Sequence, residues 1–152
     1  YARVGIALYG VLESSGDAAR FGADLRPVLS VHTRIALTKP LHPGEYAGYG
    51  RAFLAKQEMK IAALSMGYAD GLPRLCSDRL EVLIRGQRAP IVGRVCMDMC
   101  MADATGLGAA PGDEVELFGE HLPVEDAAAL AGTIQYELLC AVSPRVPREY
   151  LN

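Results

Sequence analysis

A mainly β domain is what this 152-residue sequence predicts, and three features predict it. Long runs of β-branched and apolar residues alternate in part with polar ones, as in "RPVLSVHTRIALTKPL". Turn formers such as Pro-Gly, Asp-Gly and Arg-Gly interrupt those runs at short intervals. Only near the end does the pattern change to an Ala-rich, helix-like stretch. Residues 25–152 therefore read as a β-barrel or sandwich carrying one or two short helices.

Taken in order, "RVGIALY" (3–9) is short, apolar and closed by Gly10, the signature of a fully buried strand. A strand at the very start is the pattern expected of a chain cut from a longer one. Residues 11–24, "VLESSGDAARFGAD", are small and polar and read as a linker. "HPGEYAGYG" is a turn that re-enters a strand, and "KIAALSMGYADG" a strand ending in a turn-prone Asp-Gly. "RLEVLIRGQRAPIVGRVCMDMCMADA" carries a hairpin at Arg85-Gly86-Gln87 and then a strand running through Met101. "APGDEVELFG" is a turn and a short strand. "PVEDAAALAGT" has acids in its first turn, which favours a helix start, and "IQYELLCAVS" is a second short helix. About seven strands follow the linker.

Composition narrows the function classes. With 51% hydrophobic residues, 22% charged and a net charge of −3, no basic surface points to nucleic acid. No apolar run approaches the roughly 18 residues that span a bilayer. The four cysteines (Cys76, Cys96, Cys100, Cys140) lack C-x-x-C pairing and read as reduced core thiols of a cytoplasmic protein, with no metal. The histidines are dispersed, and only three lysines occur: Lys39, Lys56 and Lys60.

No nucleotide, metalloprotease or hydrolase motif is present. Tyr49 stands between Gly48 and Gly50, Tyr68 follows Gly67 at a strand end, and Tyr136 lies near the C-terminus. Flanking glycines fit a turn that a tyrosine covers, and they also fit a tyrosine aimed into a cleft.

A set of phrases in fixed order goes further. "RVGIALYG", "LRPVLSVHTRI", "PGEYAGYGRAF", "MGYADGLPR", "GQRAPIVGRVCMDMCMAD", "PGDEVELFG" and "YELLCAVSPRVPR" resemble the C-terminal part of the bacterial alanine racemases. The family pattern implies residues 1–10 as the last strand of an N-terminal (β/α)8 barrel that holds pyridoxal 5′-phosphate, 11–24 as a linker and 25–152 as the C-terminal β domain. It implies a homodimer in which one subunit's barrel meets the other's β domain, and a role in making D-alanine for cell-wall peptidoglycan.

Racemisation takes a proton from one face of Cα and returns one to the other, so two bases must flank it. By the resemblance, Tyr49 is the base given to the partner subunit's site, opposite a lysine that also binds the cofactor covalently. A free phenol titrates near pH 10, so such a base needs help from cationic neighbours. Arg3 resembles the arginine facing the pyridine nitrogen, which a guanidinium leaves unprotonated. Gly5, Ile6 and Tyr136 resemble the phosphate contacts. Met97 and Asp98 resemble the substrate-carboxylate motif, and Tyr68 a tyrosine that narrows access. Arg74, Arg94 and Ile134 fall on the same access corridor.

The lysine and its Ala-Tyr-Gly-His surroundings have no counterpart here, so this chain alone is expected to be inactive. Relatives in vancomycin-resistance membrane proteins racemise serine and carry a smaller residue where this chain has Tyr136, which leans towards alanine. The remaining alternative is a non-catalytic β interaction module.

Overall fold

An eleven-residue strand, β1 (Val31–Leu41), organises the computed structural model, which describes residues 1–13, 17–22 and 24–151. The other strands are β2 (Tyr46–Ala47), β3 (Phe53–Leu54), β4 (Met59–Leu64), β5 (Glu81–Ile84), β6 (Gln87–Pro90), β7 (Cys100–Asp103) and β8 (Glu114–Phe118). The α-helices are α1 (Asp17–Phe21), α2 (Val124–Ala131) and α3 (Gln135–Ala141).

The first part of β1 pairs with β8 and the rest with β4, with register shifts after Val31 and after Ile35. That shared strand links six strands into one antiparallel sheet, ordered β6-β5-β8-β1-β4-β7. A bridge between Ile91, just past β6, and Ala102 in β7 brings the two edges together. The sheet is thus nearly closed into a barrel, which leaves little unpaired edge. Inside it Ile35, Leu64, Val82, Ile84, Leu117 and Phe118 are almost wholly inaccessible. Each such side chain contributes roughly 1.5–3 kcal/mol on burial. A smaller cluster of Leu41, Ala47, Ala55, Ile61 and Val92 supports the separate β2–β3 hairpin.

The mainly β reading, the hairpin and both late helices agree with these elements. At the hairpin, Arg85 (φ 52°) and Gly86 (φ 74°) are the two central residues between the paired Ile84 and Gln87. Positive φ at both is the type I′ geometry that matches strand twist. α2 has Glu125 and Asp126 in its first turn and ends at Gly132 (φ 70°). There the Gly132 N–H donates to Ala129 and the Thr133 N–H to Ala128, which is the Schellman pattern.

Three expectations need correcting. Gly5–Tyr9, read as a buried strand, is a 3-10 helix closed by Gly10 at φ 72°. Among the described residues it has no strand to pair with, and a 3-10 turn satisfies its backbone locally. Its Ile6 and the following Val11 nevertheless enter the main core, and Gly10 packs so tightly on Arg26 that a Cβ would lie 1.7 Å from the carbonyl oxygen. The linker contains α1, while its residues 14–16 and 23 lie outside the described residues. The strand expected through Met101 is broken: after Ile91 the chain runs irregularly until β7, with Gly93 at φ 75°.

No helix among the described residues is long and apolar enough to cross a membrane. All four cysteines carry free thiols, but only Cys76 and Cys100 are core residues; Cys140 is exposed. Burial pushes the Cys76 thiol up to about 11 and the Cys100 thiol to about 12, so neither is a ready nucleophile.

The buried Glu116 of β8 holds the loop leading to α2, accepting from the His121 N–H at 2.8 Å and the Leu122 N–H at 3.3 Å. Its second oxygen meets His121 Nδ1 at 2.8 Å. Burial pushes the Glu116 carboxyl up, but these hydrogen bonds outweigh it and its pKa ends below the usual value. The hydrogen bond and charge of Glu116 raise His121 above 6.5. A raised histidine stabilises fully below its unfolded value and loses that contribution as pH climbs through its folded one. The melting-temperature gap between wild type and His121→Gln should therefore be larger at pH 5.5 than at pH 9. An equal gap at both would contradict this pairing.

Candidate active site

Tyr49 sits on the loop between β2 and β3, in a turn closed by the Arg51 N–H donating to Gly48 at 3.2 Å. Gly50 has φ 73°, the left-handed value that the third residue of a type II turn requires. The two glycines thus build the turn, and the tyrosine does not cover it: Tyr49 projects with 79% of its surface exposed. Arg94 packs under this tip, its guanidinium 2.9 Å from where a Cβ on Gly50 would lie.

Next to it, two turns meet backbone to backbone. The Tyr68 N–H donates to Cys96 and the Ala69 N–H to Met97, each at 3.0 Å. A Cβ on Gly67 would lie 2.2 Å from the Met97 carbonyl oxygen and 2.3 Å from that of Cys96, so this approach demands glycine. Met97 and Asp98 are the central residues of a turn closed by the Cys96 N–H donating to Met99 at 2.9 Å. The stretch before it is pinned by Asp78, whose carboxylate takes the Gly93 N–H, and by Ser77, whose hydroxyl takes the Val95 N–H. Arg74 is the exposed first residue of a 3-10 helix (Arg74–Cys76), anchored by the buried Cys76, that leads into these residues. Tyr49, Tyr68, Met97, Arg94 and Arg74 are therefore borne on mutually tied segments, with Tyr68 and Met97 about half exposed.

Two residues that the sequence reading missed hold this assembly. Asp70, only 8% exposed, accepts from the Gly67 N–H at 2.8 Å and from Arg145 Nε at 2.6 Å. Arg145 Nη2 donates to Asp98 at 2.5 Å. Burial pushes Asp70 up, yet the Arg145 and Gly67 hydrogen bonds prevail and hold it below the usual carboxylate range. Arg145 is raised above its ordinary value, first by Asp70 and then by Asp98. The Asp-Gly of "GYADG" reads as a turn signal, which it is. Nothing local in "SPRVPR" shows where Arg145 reaches, 75 residues away in sequence.

The remaining candidates form a second group. Tyr136 is in the first turn of α3, and its hydroxyl is 3.8 Å from where a Cβ on Gly5 (φ 62°) would lie. Ile134 caps the same helix and is exposed. The buried Gln135 side chain donates to the Leu12 carbonyl at 2.6 Å, fastening α3 to the segment that follows Gly5 and Ile6. Arg3 is exposed just before it. Ile134, read on the same access corridor as Arg74 and Arg94, lies two residues before Tyr136 at the start of α3. α3 connects the groups, since the Ala141 backbone and the Ser143 N–H pack on Gly71 and Asp70. Among the described residues no cluster of His, Cys, Asp or Glu is placed to hold a metal.

The sequence profile of the family described as "Alanine racemase, C-terminal domain" matches residues 28–150. This chain belongs to that family. It is 47% identical over 152 residues to an alanine racemase of Desulfovibrio desulfuricans, covering 99% of this chain and 40% of that protein. Its fold is similar to that of the biosynthetic alanine racemase of Pseudomonas aeruginosa, with a TM-score of 0.89 at 41% identity over 97% of this chain and 41% of that one. The Bartonella henselae alanine racemase, a structure with covalently bound pyridoxal phosphate, gives 0.87 at 36% identity over 97% of this chain and 40% of that one. The domain spans about two fifths of the length of the curated relatives it matches.

A methyl group at Gly67 would meet the backbone of the facing turn, which has no flexible side chain to give way. Gly67→Ala should force the two turns apart and cost roughly 1–3 kcal/mol, lowering the melting temperature. A variant as stable as wild type, with the Tyr68 and Ala69 amides still protected from exchange, would contradict this.

Proposed function

We propose that this chain is the C-terminal part of a pyridoxal-5′-phosphate-dependent alanine racemase, interconverting L- and D-alanine for peptidoglycan, with Tyr49 as a base supplied to the neighbouring subunit. The observation that carries it is Tyr49 itself: a phenol held out at the tip of a two-glycine turn, with nothing of its own domain covering most of it. Tyr46, Leu54, Leu75 and Met97 are also exposed apolar residues on or beside the tied segments, a surface suited to a second subunit.

The second group fits the cofactor's phosphate. Gly5 has no side chain to fill the space facing the Tyr136 hydroxyl, so that phenol and the Gly5 and Ile6 N–H groups are available to an anion. Arg3 would face the ring nitrogen without protonating it. When bound, the pyridoxal group supplies a sink for the negative charge that develops at the substrate Cα.

The chain's own residues do the rest. The Met97 N–H holds the substrate carboxylate, which fixes Cα relative to the Tyr49 hydroxyl. Tyr49 Oη moves a proton on one face of Cα, and a lysine outside this chain serves the other. Tyr68 narrows the approach, and Arg74, Arg94 and Ile134 line it. Because Tyr49 and Tyr136 lie in different groups of one chain, a homodimer lets each site draw one group from each subunit. The four free thiols fit a reducing, cytoplasmic setting.

In the intact enzyme Tyr49→Phe should lower kcat for racemisation by about 10²–10⁴-fold, the usual range for a lost acid–base group, with little change in KM. Undiminished turnover in either direction would exclude Tyr49 as the base. With Tyr136 in place, kcat/KM for alanine should exceed that for serine by roughly tenfold or more. Equal values would contradict the substrate assignment.

A further inference from the structure

We infer that Arg145 is a positioning residue of the substrate-carboxylate site: its guanidinium joins Asp70 of one turn to Asp98 of the other and offsets the charge of the carboxylate beside Met97. The inference rests on the racemase reading above and deepens it. Arg145 is rooted firmly, because the Ser143 N–H donates to the Asp70 carbonyl at 3.1 Å and the Ala141 carbonyl packs on Gly71. From that root Nε reaches Asp70 at 2.6 Å while Nη2 reaches Asp98 at 2.5 Å. Only a planar fork gives two such bonds in fixed directions; an ammonium on a flexible stem does not.

The two ends of the fork have different tasks. Asp70 is buried and needs a partner for its charge, so that bond serves stability. Asp98 is more than half exposed, and water alone would satisfy it. An exposed ion pair contributes little to folding, so stability does not account for the second bond. Location does. Asp98 directly follows Met97, whose N–H is proposed to take an amino acid's carboxylate. A bare carboxylate there would repel the substrate; one held against Arg145 repels it less and is turned towards the guanidinium. The same bond fixes the Met97–Asp98 turn against the Gly67–Asp70 turn, and through α3 against the end that carries Tyr136.

The test uses the intact enzyme. Arg145→Met should raise KM for alanine about tenfold while kcat changes less. Adding Asp98→Asn to Arg145→Met removes the unpaired charge and should recover at least threefold in KM. A purely structural arginine gives no such recovery. An unchanged KM in Arg145→Met, or no recovery in the double variant, overturns the inference.

Arg145→Lys covers the case in which the Met variant does not fold. It keeps a cation at Asp70 and should melt near wild type, yet raise KM about three- to tenfold; a wild-type KM overturns the inference. A readout independent of activity is hydrogen exchange in Arg145→Lys. The Tyr68 and Ala69 amides should exchange at least tenfold faster, with Ala62 and Ala63 in β4 unchanged. Unchanged exchange at Tyr68 and Ala69 also overturns it. Faster exchange there in an enzyme whose wild type does not racemise alanine would sink the racemase reading and leave the positioning role standing.

Discussion

A backbone contact with no side chain in it sets the geometry of this domain's working face. The turn at Gly67–Asp70 lies directly on the turn at Cys96–Met99, carbonyl against α-carbon, and only the missing Cβ of Gly67 permits it. The first group of candidate residues inherits its spacing from that approach. Tyr68 and Met97 are presented side by side because the Tyr68 N–H donates to Cys96 and the Ala69 N–H to Met97. Arg94, three residues before Met97, is carried to the Tyr49 loop by the same stretch of chain.

The barrel supplies what such a contact requires, which is stiffness on both sides. β4 delivers the first turn and β7 receives the chain leaving the second, and the two strands are paired. β4 is also paired along β1, which runs the width of the sheet. Charges that would be costly in such a place are each given partners. The buried polar side chains Asp70, Glu116 and Gln135 tie loops, helices and the N-terminal segment to one another. All three act as fasteners, and the proposed chemistry falls instead to exposed residues such as Tyr49, Met97 and Tyr136.

Much of this was legible in the sequence, and the limits have physical causes. Alternation and turn chemistry marked the strands, the Arg85-Gly86 hairpin and α2, because those signals are local. The phrases around Tyr49, Tyr68 and Met97 could be matched to a family because motifs are contiguous. The run at residues 3–9 misled, since a short apolar stretch has the same composition whether it becomes strand or helix. Gly5 and Gly10 were the available warning: both take positive φ, which an extended strand does not use. Arg145 was invisible because its two carboxylate partners are brought to it only by the closed sheet and the packing of α3. Sorting the candidates into two groups also required coordinates; the order of residues along the chain does not separate Tyr136 from Tyr49.

That sorting is what the proposed dimer rests on, since a tyrosine exposed on one loop and a proposed phosphate cradle elsewhere on the same chain suit pairing between subunits. The direct test is complementation between two inactive full-length variants, one with Tyr49→Phe and one lacking the cofactor-binding lysine. If Tyr49 serves its neighbour, hybrid dimers contain one intact site of the two and should racemise alanine at about half the wild-type rate. Should the purified hybrid remain as inactive as its parents, Tyr49 would be acting within its own subunit or not at all.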